Sequence, residues 1–337
     1  MSNYPNIKTH NTLPKVLRHR AESMPTTIAL RDKDLGIWNE ITWKEYHDNV
    51  SYLALGLSKK GFKLGDVIGL IGDNKPSWLF FEIAAQAVGG MSLGIYRDTL
   101  DEEVGYLINA AKVNFAYAED QEQVDKLLSI KRAKNNNITI FYEDSRGLKE
   151  LNDPHIIDML DLIKEGKAIA AKNPNKYNQL IDKISSDQNA ILCTTSGTTS
   201  NPKLAMLPGG KFIEHVVRYL NVDPKTIEDE YVSVLPFPWI MEQTYAVGFN
   251  IVGGMKVNFP ERPDTAMEDM REIGPTFMLG APRLWEQIAA DMRSRILDAP
   301  KITQWLFNVM VERGLKAVDQ GKRDFLADKL LFSSLKD

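Results

Sequence analysis

The chain has 337 residues, 43% of them hydrophobic and 26% charged, with a formal net charge of −4; this allows two domains or one large α/β domain with ample material for a core. A net negative chain with no basic excess excludes a nucleic-acid footprint. One cysteine, Cys193, excludes an internal disulfide or a cysteine metal cluster and fits a reducing, cytoplasmic setting; on its apolar run it reads as buried filler.

Met1 to Thr12 is polar and has no apolar signal core. The longest apolar region, Trp78 to Met91, is broken by Glu82 and Gln86 and is too short to span a bilayer. The expectation is a soluble protein, with peripheral membrane contact left open. Thr27–Leu30 and Ile37–Ile41 predict two strands joined by a turn over 32–36. Thr42 with Glu45 has capping-box spacing and opens a helix with apolar positions Tyr46, Val50, Leu53, Ala54 and Leu57, ended by Gly61. Val67–Ile71 predicts a buried strand, and Pro76 fits the first turn of a helix reaching about Val88.

The alternation continues with a strand at Ser92–Ile95, a capped helix from Thr99 with Glu102, and a strand at Asn114–Tyr117. A helix over 119–133, a strand at Ile138–Phe141 and a helix from about His155 to Lys172 follow. A polar connector at 173–188, the one candidate subdomain boundary, leads to the apolar run Ala190–Cys193. Beyond it come a strand at Tyr231–Leu235, a helix over 240–252, an extended run at Met255–Phe259, and a third capping box at Thr265 and Glu268. Glu228-Asp229-Glu230 reads as a solvated turn, and Glu242 as a charge on a helix surface. Gly274-Pro275 stops the helix, Thr276–Leu279 predicts a strand, and everything from Pro282 is helical pattern. Strand-then-helix repetition predicts an α/β fold of layered, mostly parallel sheets with helices on both faces, closed by an all-helical segment.

The most informative stretch runs from Thr194 to Lys203, Thr-Thr-Ser-Gly-Thr-Thr-Ser-Asn-Pro-Lys, placed between a strand and the helical pattern that resumes after Gly209-Gly210. Backbone N–H groups, hydroxyls and one cation, without a carboxylate, suit phosphate oxygens. An ordinary P-loop is disfavoured: Gly197 and Lys203 have the right separation, but Pro202 stands where its second glycine belongs and Leu204 where its magnesium-binding hydroxyl belongs. A nucleophile elbow fails as well, since Thr194 and Thr198 flank Ser196 where glycines are required. The five histidines show no metal-ligand spacing.

This stretch resembles the phosphate loop of the adenylate-forming superfamily, T-S-G-T-T-G-x-P-K-G, at Thr195, Ser196, Gly197, Thr198, Thr199, Pro202 and Lys203. Ser200 and Leu204 depart from family glycines. Further segments resemble the long-chain acyl-CoA synthetase branch: Ile41–Tyr46, Asp66–Leu70, Gln86–Gly90, Ser233–Glu242, Arg271–Thr276 and Gly280–Glu286. The resemblance implies that Thr195, Ser196, Gly197, Thr198, Thr199 and Lys203 bind ATP, with Lys203 the catalytic cation. Trp239, Gly280 and Ala281 are the acyl-site candidates, core packing being the competing reading of Trp239.

The implied chemistry is attack of a fatty carboxylate on the α-phosphorus of ATP, then displacement of AMP by the thiol of CoA. Magnesium is implied without an assignable ligand. Members of the family continue with a Tyr-Gly-x-Thr-Glu segment, a ribose-binding aspartate and a C-terminal lid domain with a catalytic lysine. None of these occurs in 287–337. The expectation is therefore an AMP-binding domain, 1–337, as the N-terminal portion of a ligase, inactive alone in acid-dependent ATP–pyrophosphate exchange. The alternative is a non-catalytic nucleotide- or acyl-binding remnant.

Overall fold

The computed structural model describes residues 4–134, 137–149, 151, 153–195 and 202–333. Contacts divide the chain into two units, 1–269 and 270–337. The first unit carries two sheets. After α1 (Leu13–Ser23), β1 (Ile28–Asp34) and β2 (Ile37–Thr42) form a hairpin. Its turn is shorter than the expected 32–36: the strands run to Asp34, and Leu35 and Gly36, both at positive φ, make the reversal alone. A two-residue turn of that hand matches strand twist.

The capping box opens α2 (Trp43–Lys59) as expected. Glu45 N–H donates to Thr42 Oγ1 at 3.2 Å, and Thr42 N–H donates back to the Glu45 carboxylate at 2.8 Å. Then come β3 (Val67–Ile71), α3 (Pro76–Val88), β4 (Met91–Ile95), α4 (Asp101–Ala110), β5 (Phe115–Ala118), α5 (Gln121–Lys134), β6 (Thr139–Tyr142), β7 (Ile156–Asp158), α6 (Met159–Lys172) and α7 (Lys176–Ile181). Two expectations are corrected here. The helix α4 starts at Asp101 behind Leu100 without a side-chain cap, and its three leading acids, Asp101, Glu102 and Glu103, suit the positive end of the helix instead. The stretch from His155 begins as strand, because Ile156–Asp158 pairs in parallel with Ile140–Tyr142. The connector 173–188 holds α7 and lies inside the first unit.

β8 (Asn189–Thr195) and β9 (Lys203–Pro208) complete a seven-stranded sheet in the order β7-β6-β5-β3-β4-β8-β9. Only the last pair is antiparallel. Its core joins Val67, Ile71, Leu93, Val124, Ile140 and Leu192, with Leu204 packed against it. Helix α8 (Gly209–Val222) follows.

The second sheet is formed by β10 (Glu230–Val232), β11 (Lys256–Phe259), β1 and β2, in that order. Glu230 is no solvated turn residue: its carboxylate accepts from Arg31 at 2.8 Å and Lys256 at 2.6 Å across the sheet. Between β10 and β11, α9 (Ile240–Glu242) continues as an i→i+5 helix over Gln243–Gly253, every residue of it buried. In α10 (Ala266–Ile273), Glu268 N–H donates to the Thr265 carbonyl, while the Thr265 hydroxyl donates to Asp269 at 2.9 Å. That replaces the third capping box. Asp269 also accepts from buried Lys33 at 2.7 Å.

The second unit is helical, as the pattern from Pro282 predicts: α11 (Pro282–Leu297), α12 (Lys301–Asp319) and α13 (Phe325–Ala327), which runs on as an i→i+5 turn over Asp328–Phe332. The strand expected at Thr276–Leu279 is reduced to a single bridge residue, Phe277. Cys193 is buried, and burial pushes its thiol up to about 11.

Candidate functional site

The phosphate-loop candidate joins two antiparallel strands, which corrects the strand-to-helix placement. Thr195 pairs with Lys203, Thr194 with Leu204 and Cys193 with Ala205. The physical reason is the run Leu204–Leu207: it needs partners for its backbone, and β8 supplies them while Leu204 drops onto the core. Helix α8 starts only at Gly209. Thr195 Oγ1 donates to the Lys203 carbonyl at 3.3 Å, and Tyr106 OH donates to the Pro202 carbonyl at 3.2 Å. The hairpin base is thus pinned on both sides, with the Lys203 side chain in solvent. Ser196, Gly197, Thr198 and Thr199 lie outside the described residues.

The parallel strands of the sheet end in polar residues on the same edge: Asp73 and Asn74 follow β3, Arg97 follows β4, Glu119 and Asp120 follow β5, and Glu143 follows β6. Ligands of open α/β sheets gather at such carboxyl ends. Most of these charges are committed to each other. Arg97 pairs with Asp73, with Asp120 at 3.1 Å and with Glu119 at 3.9 Å, and Lys75 with Glu119 at 3.4 Å. Burial pushes the Asp32 carboxyl up to about 7, with Glu143, Asp34 and Glu119 reinforcing the shift and Lys75 opposing it. Among the described residues no group of three His, Cys, Asp or Glu side chains is placed to hold a metal ion, so no magnesium ligand is assigned.

Trp239 begins α9 at the end of the turn after β10, and is 37% exposed. Glu242, expected on a helix surface, is fully buried: Tyr231 OH donates to it at 2.6 Å, and Ser233 Oγ hydrogen-bonds its other oxygen. Burial pushes its carboxyl up to about 8, against the pull of those two bonds. Glu82, on α3, is likewise fully buried and pushed up to about 7 by burial, while Gln243 and Ser92, each donating to it at 3.2 Å, pull the other way. Asn74, Glu82, Ser233 and Gln243 were not among the expected site residues; their partners lie up to 163 residues away, so spacing gives no signal for them.

Gly280 and Ala281 belong to the second unit, Ala281 as the residue capping α11. The Trp285 indole N–H donates to the Gly280 carbonyl at 3.2 Å. A Cβ on Gly280 would come within 2.8 Å of the Leu284 side chain.

The sequence profile described as "AMP-binding enzyme" matches residues 17–317. The rat (Rattus norvegicus) long-chain-fatty-acid–CoA ligase ACSBG2 is 27% identical over 351 residues, covering 98% of this chain and 51% of the relative. The chain therefore spans about half the length of that relative. Among solved structures, VinN in complex with L-aspartate superposes with a TM-score of 0.65 at 16% identity, covering 82% of this chain and 69% of that one. The o-succinylbenzoate CoA synthetase MenE of Bacillus subtilis, solved with its acyl-adenylate intermediate, gives 0.60 at 15% identity, covering 82% and 63%. At these identities the structural likeness speaks to the fold.

Proposed function

The chain belongs to the AMP-binding enzyme family, and from that premise we propose that it carries the triphosphate- and acyl-binding part of an ATP-dependent fatty acid–CoA ligase. In the first step a carboxylate oxygen of the fatty acid attacks the α-phosphorus of ATP. The bond to the bridging oxygen breaks, and pyrophosphate leaves with its electron pair. In the second step the CoA thiolate attacks the acyl carbon of the mixed anhydride and AMP departs. Positioning and neutralisation of phosphate charge dominate such a substitution.

The observation that carries this reading is the pinned hairpin base, where Thr195 and Lys203 face each other at the carboxyl end of β8. Lys203 would give its charge to the β- and γ-phosphates, with hydroxyl donation from Thr195, Ser196, Thr198 and Thr199. Magnesium would share that charge. The names of relatives such as ACSBG2 support a long-chain fatty acid as the carboxylate. Trp239, Gly280 and Ala281 are the proposed acyl contacts.

Lys203→Ala tests the reading on the 337-residue chain by calorimetric titration with ATP and AMP. A charge-assisted bond of about 1.5–3 kcal/mol to the outer phosphates makes ATP bind roughly tenfold or more tighter than AMP, and the substitution should remove that preference. Equal affinities in the unsubstituted chain, or a preference that survives the substitution, would sink the assignment. Acid-dependent ATP–pyrophosphate exchange then separates a catalytic chain from one that only binds.

A further inference from the structure

The turn that carries Trp239 is held by side chains with no part in the reading so far. Asn74, between β3 and α3, reaches it at three points. Its amide nitrogen donates to Ser233 Oγ at 2.8 Å and to the Leu235 carbonyl at 2.6 Å, and its amide oxygen accepts the Phe237 N–H at 3.2 Å. From the other side, buried Gln243 donates to the Phe237 carbonyl at 3.0 Å and to Glu82 at 3.2 Å. Phe237 is fully buried and stacks on Trp78, ring centroids 5.5 Å apart. Pro238 lies so close to β4 that a Cβ on Gly94 would come within 2.8 Å of the Pro238 Cα.

Connecting segments usually satisfy their backbone in water and stay mobile. Here both backbone groups of Phe237 and the carbonyl of Leu235 are bound by two side-chain amides, Asn74 from 163 residues away and Gln243 from the helix that follows, while the next indole along stays partly exposed. Fixing a turn in this way makes sense where one side chain must be presented at a set angle, because a pre-oriented contact surface avoids ordering costs when a ligand arrives. We propose that Asn74 and Gln243 are positioning residues for the acyl site, locking the Pro236–Trp239 turn so that the Trp239 indole forms a fixed wall for an alkyl or aryl tail. The proposal deepens the functional reading above and rests on its placement of Trp239 at the acyl site.

The test uses the whole chain labelled with 5-fluorotryptophan, Trp239→Phe assigning its ¹⁹F line among the six tryptophans. The line of fully buried Trp43 reports folding. In the unsubstituted chain Trp239 should give a single sharp line, which Asn74→Ala broadens or splits while Trp43 stays in place. Should Asn74→Ala lose the Trp43 line, Gln243→Met, which removes the other clamp without an unsatisfied donor, carries the comparison. A sharp, unmoved Trp239 line in every folded variant overturns the positioning role.

Laurate is then titrated into each protein. It should shift the Trp239 line, with half-saturation about tenfold higher in the variants, the equivalent of about 1.4 kcal/mol. A laurate response equal in all proteins also overturns the proposal. If laurate leaves the unsubstituted line untouched while Asn74→Ala still broadens it, the clamp stands and the acyl reading of Trp239 falls, so the two failures are told apart.

Discussion

Glu242 shows how far a residue's surroundings can depart from what its neighbours in sequence suggest. Its helical context reads as surface charge, yet it is fully buried, with Tyr231 and Ser233 as partners. Burial is the first cause of a carboxyl pushed from its ordinary 4.5 up to about 8. The folded chain therefore holds a proton on Glu242 that the unfolded chain gives up near 4.5. The contribution to stability is complete below about 4.5, is lost as the pH climbs toward about 8, and changes no further above that. Glu242→Gln mimics the protonated form at every pH. Urea midpoints of the two proteins should converge near pH 4.5 and separate as pH rises, the native chain losing on the order of 4 kcal/mol relative to the variant by pH 8.5. Parallel pH profiles would mean that Glu242 is ionised in the fold. At this scale Thr195 and Lys203 were legible only as candidates, singled out by one short hydroxyl-rich stretch; that they pair across two antiparallel strands was not legible. Asn74 and Gln243 were not legible either, because an amide's role depends on where two remote segments meet.

Among the elements, several whose signals are local came through, although the capping boxes expected at Thr99 and Thr265 did not. The capping box at Thr42 and Glu45, Pro76 in the first turn of α3, and the buried run Val67–Ile71 all specify structure within a few residues. The two strands missed, β7 and β9, share a cause, since each exists because a neighbouring strand takes up its backbone groups. A short apolar run beside a helix cannot announce a partner strand from sequence. The same dependence on neighbours makes Gly94 in β4 informative. Its φ is ordinary, so backbone strain is not the reason for glycine; space is. An added methyl would meet the Pro238 Cα at 2.8 Å, and a backbone atom yields far less than a side-chain tip. Gly94→Ala should destabilise the chain by about 1–3 kcal/mol by urea unfolding and disturb the Trp239 line described above. A variant as stable as the parent would show that the Pro236–Trp239 turn can move away from the strand at little cost, which the clamp argument forbids.

For the molecule as a whole, the two units differ in how completely they cover their apolar side chains. The first surrounds its sheets with helices and keeps large aromatics such as Trp43, Trp78, Phe81 and Phe237 fully inside. In the second, α11 has no buried residue, and α12 buries only Met310 and Gly314, the latter against the Phe332 ring. Exposed apolar side chains concentrate there: Leu297, Ile302, Trp305, Val318 and Phe325 are all largely in solvent. Helical periodicity in the sequence marks these helices correctly but says nothing about which apolar face finds a partner, so this excess was invisible before the fold. Exposed apolar side chains offer surface to hydrophobic dyes. Ile302 and Trp305 are one turn apart on α12 at 76% and 63% exposure, so replacing both with lysine removes apolar surface without opening a cavity. The double variant should lose most of the native-state enhancement of anilinonaphthalene sulfonate fluorescence while keeping the parent's far-ultraviolet circular dichroism. Unchanged dye binding would place the dye-accessible surface on apolar side chains other than Ile302 and Trp305. A collapse of helical signal would show instead that these two side chains help hold α12 in place.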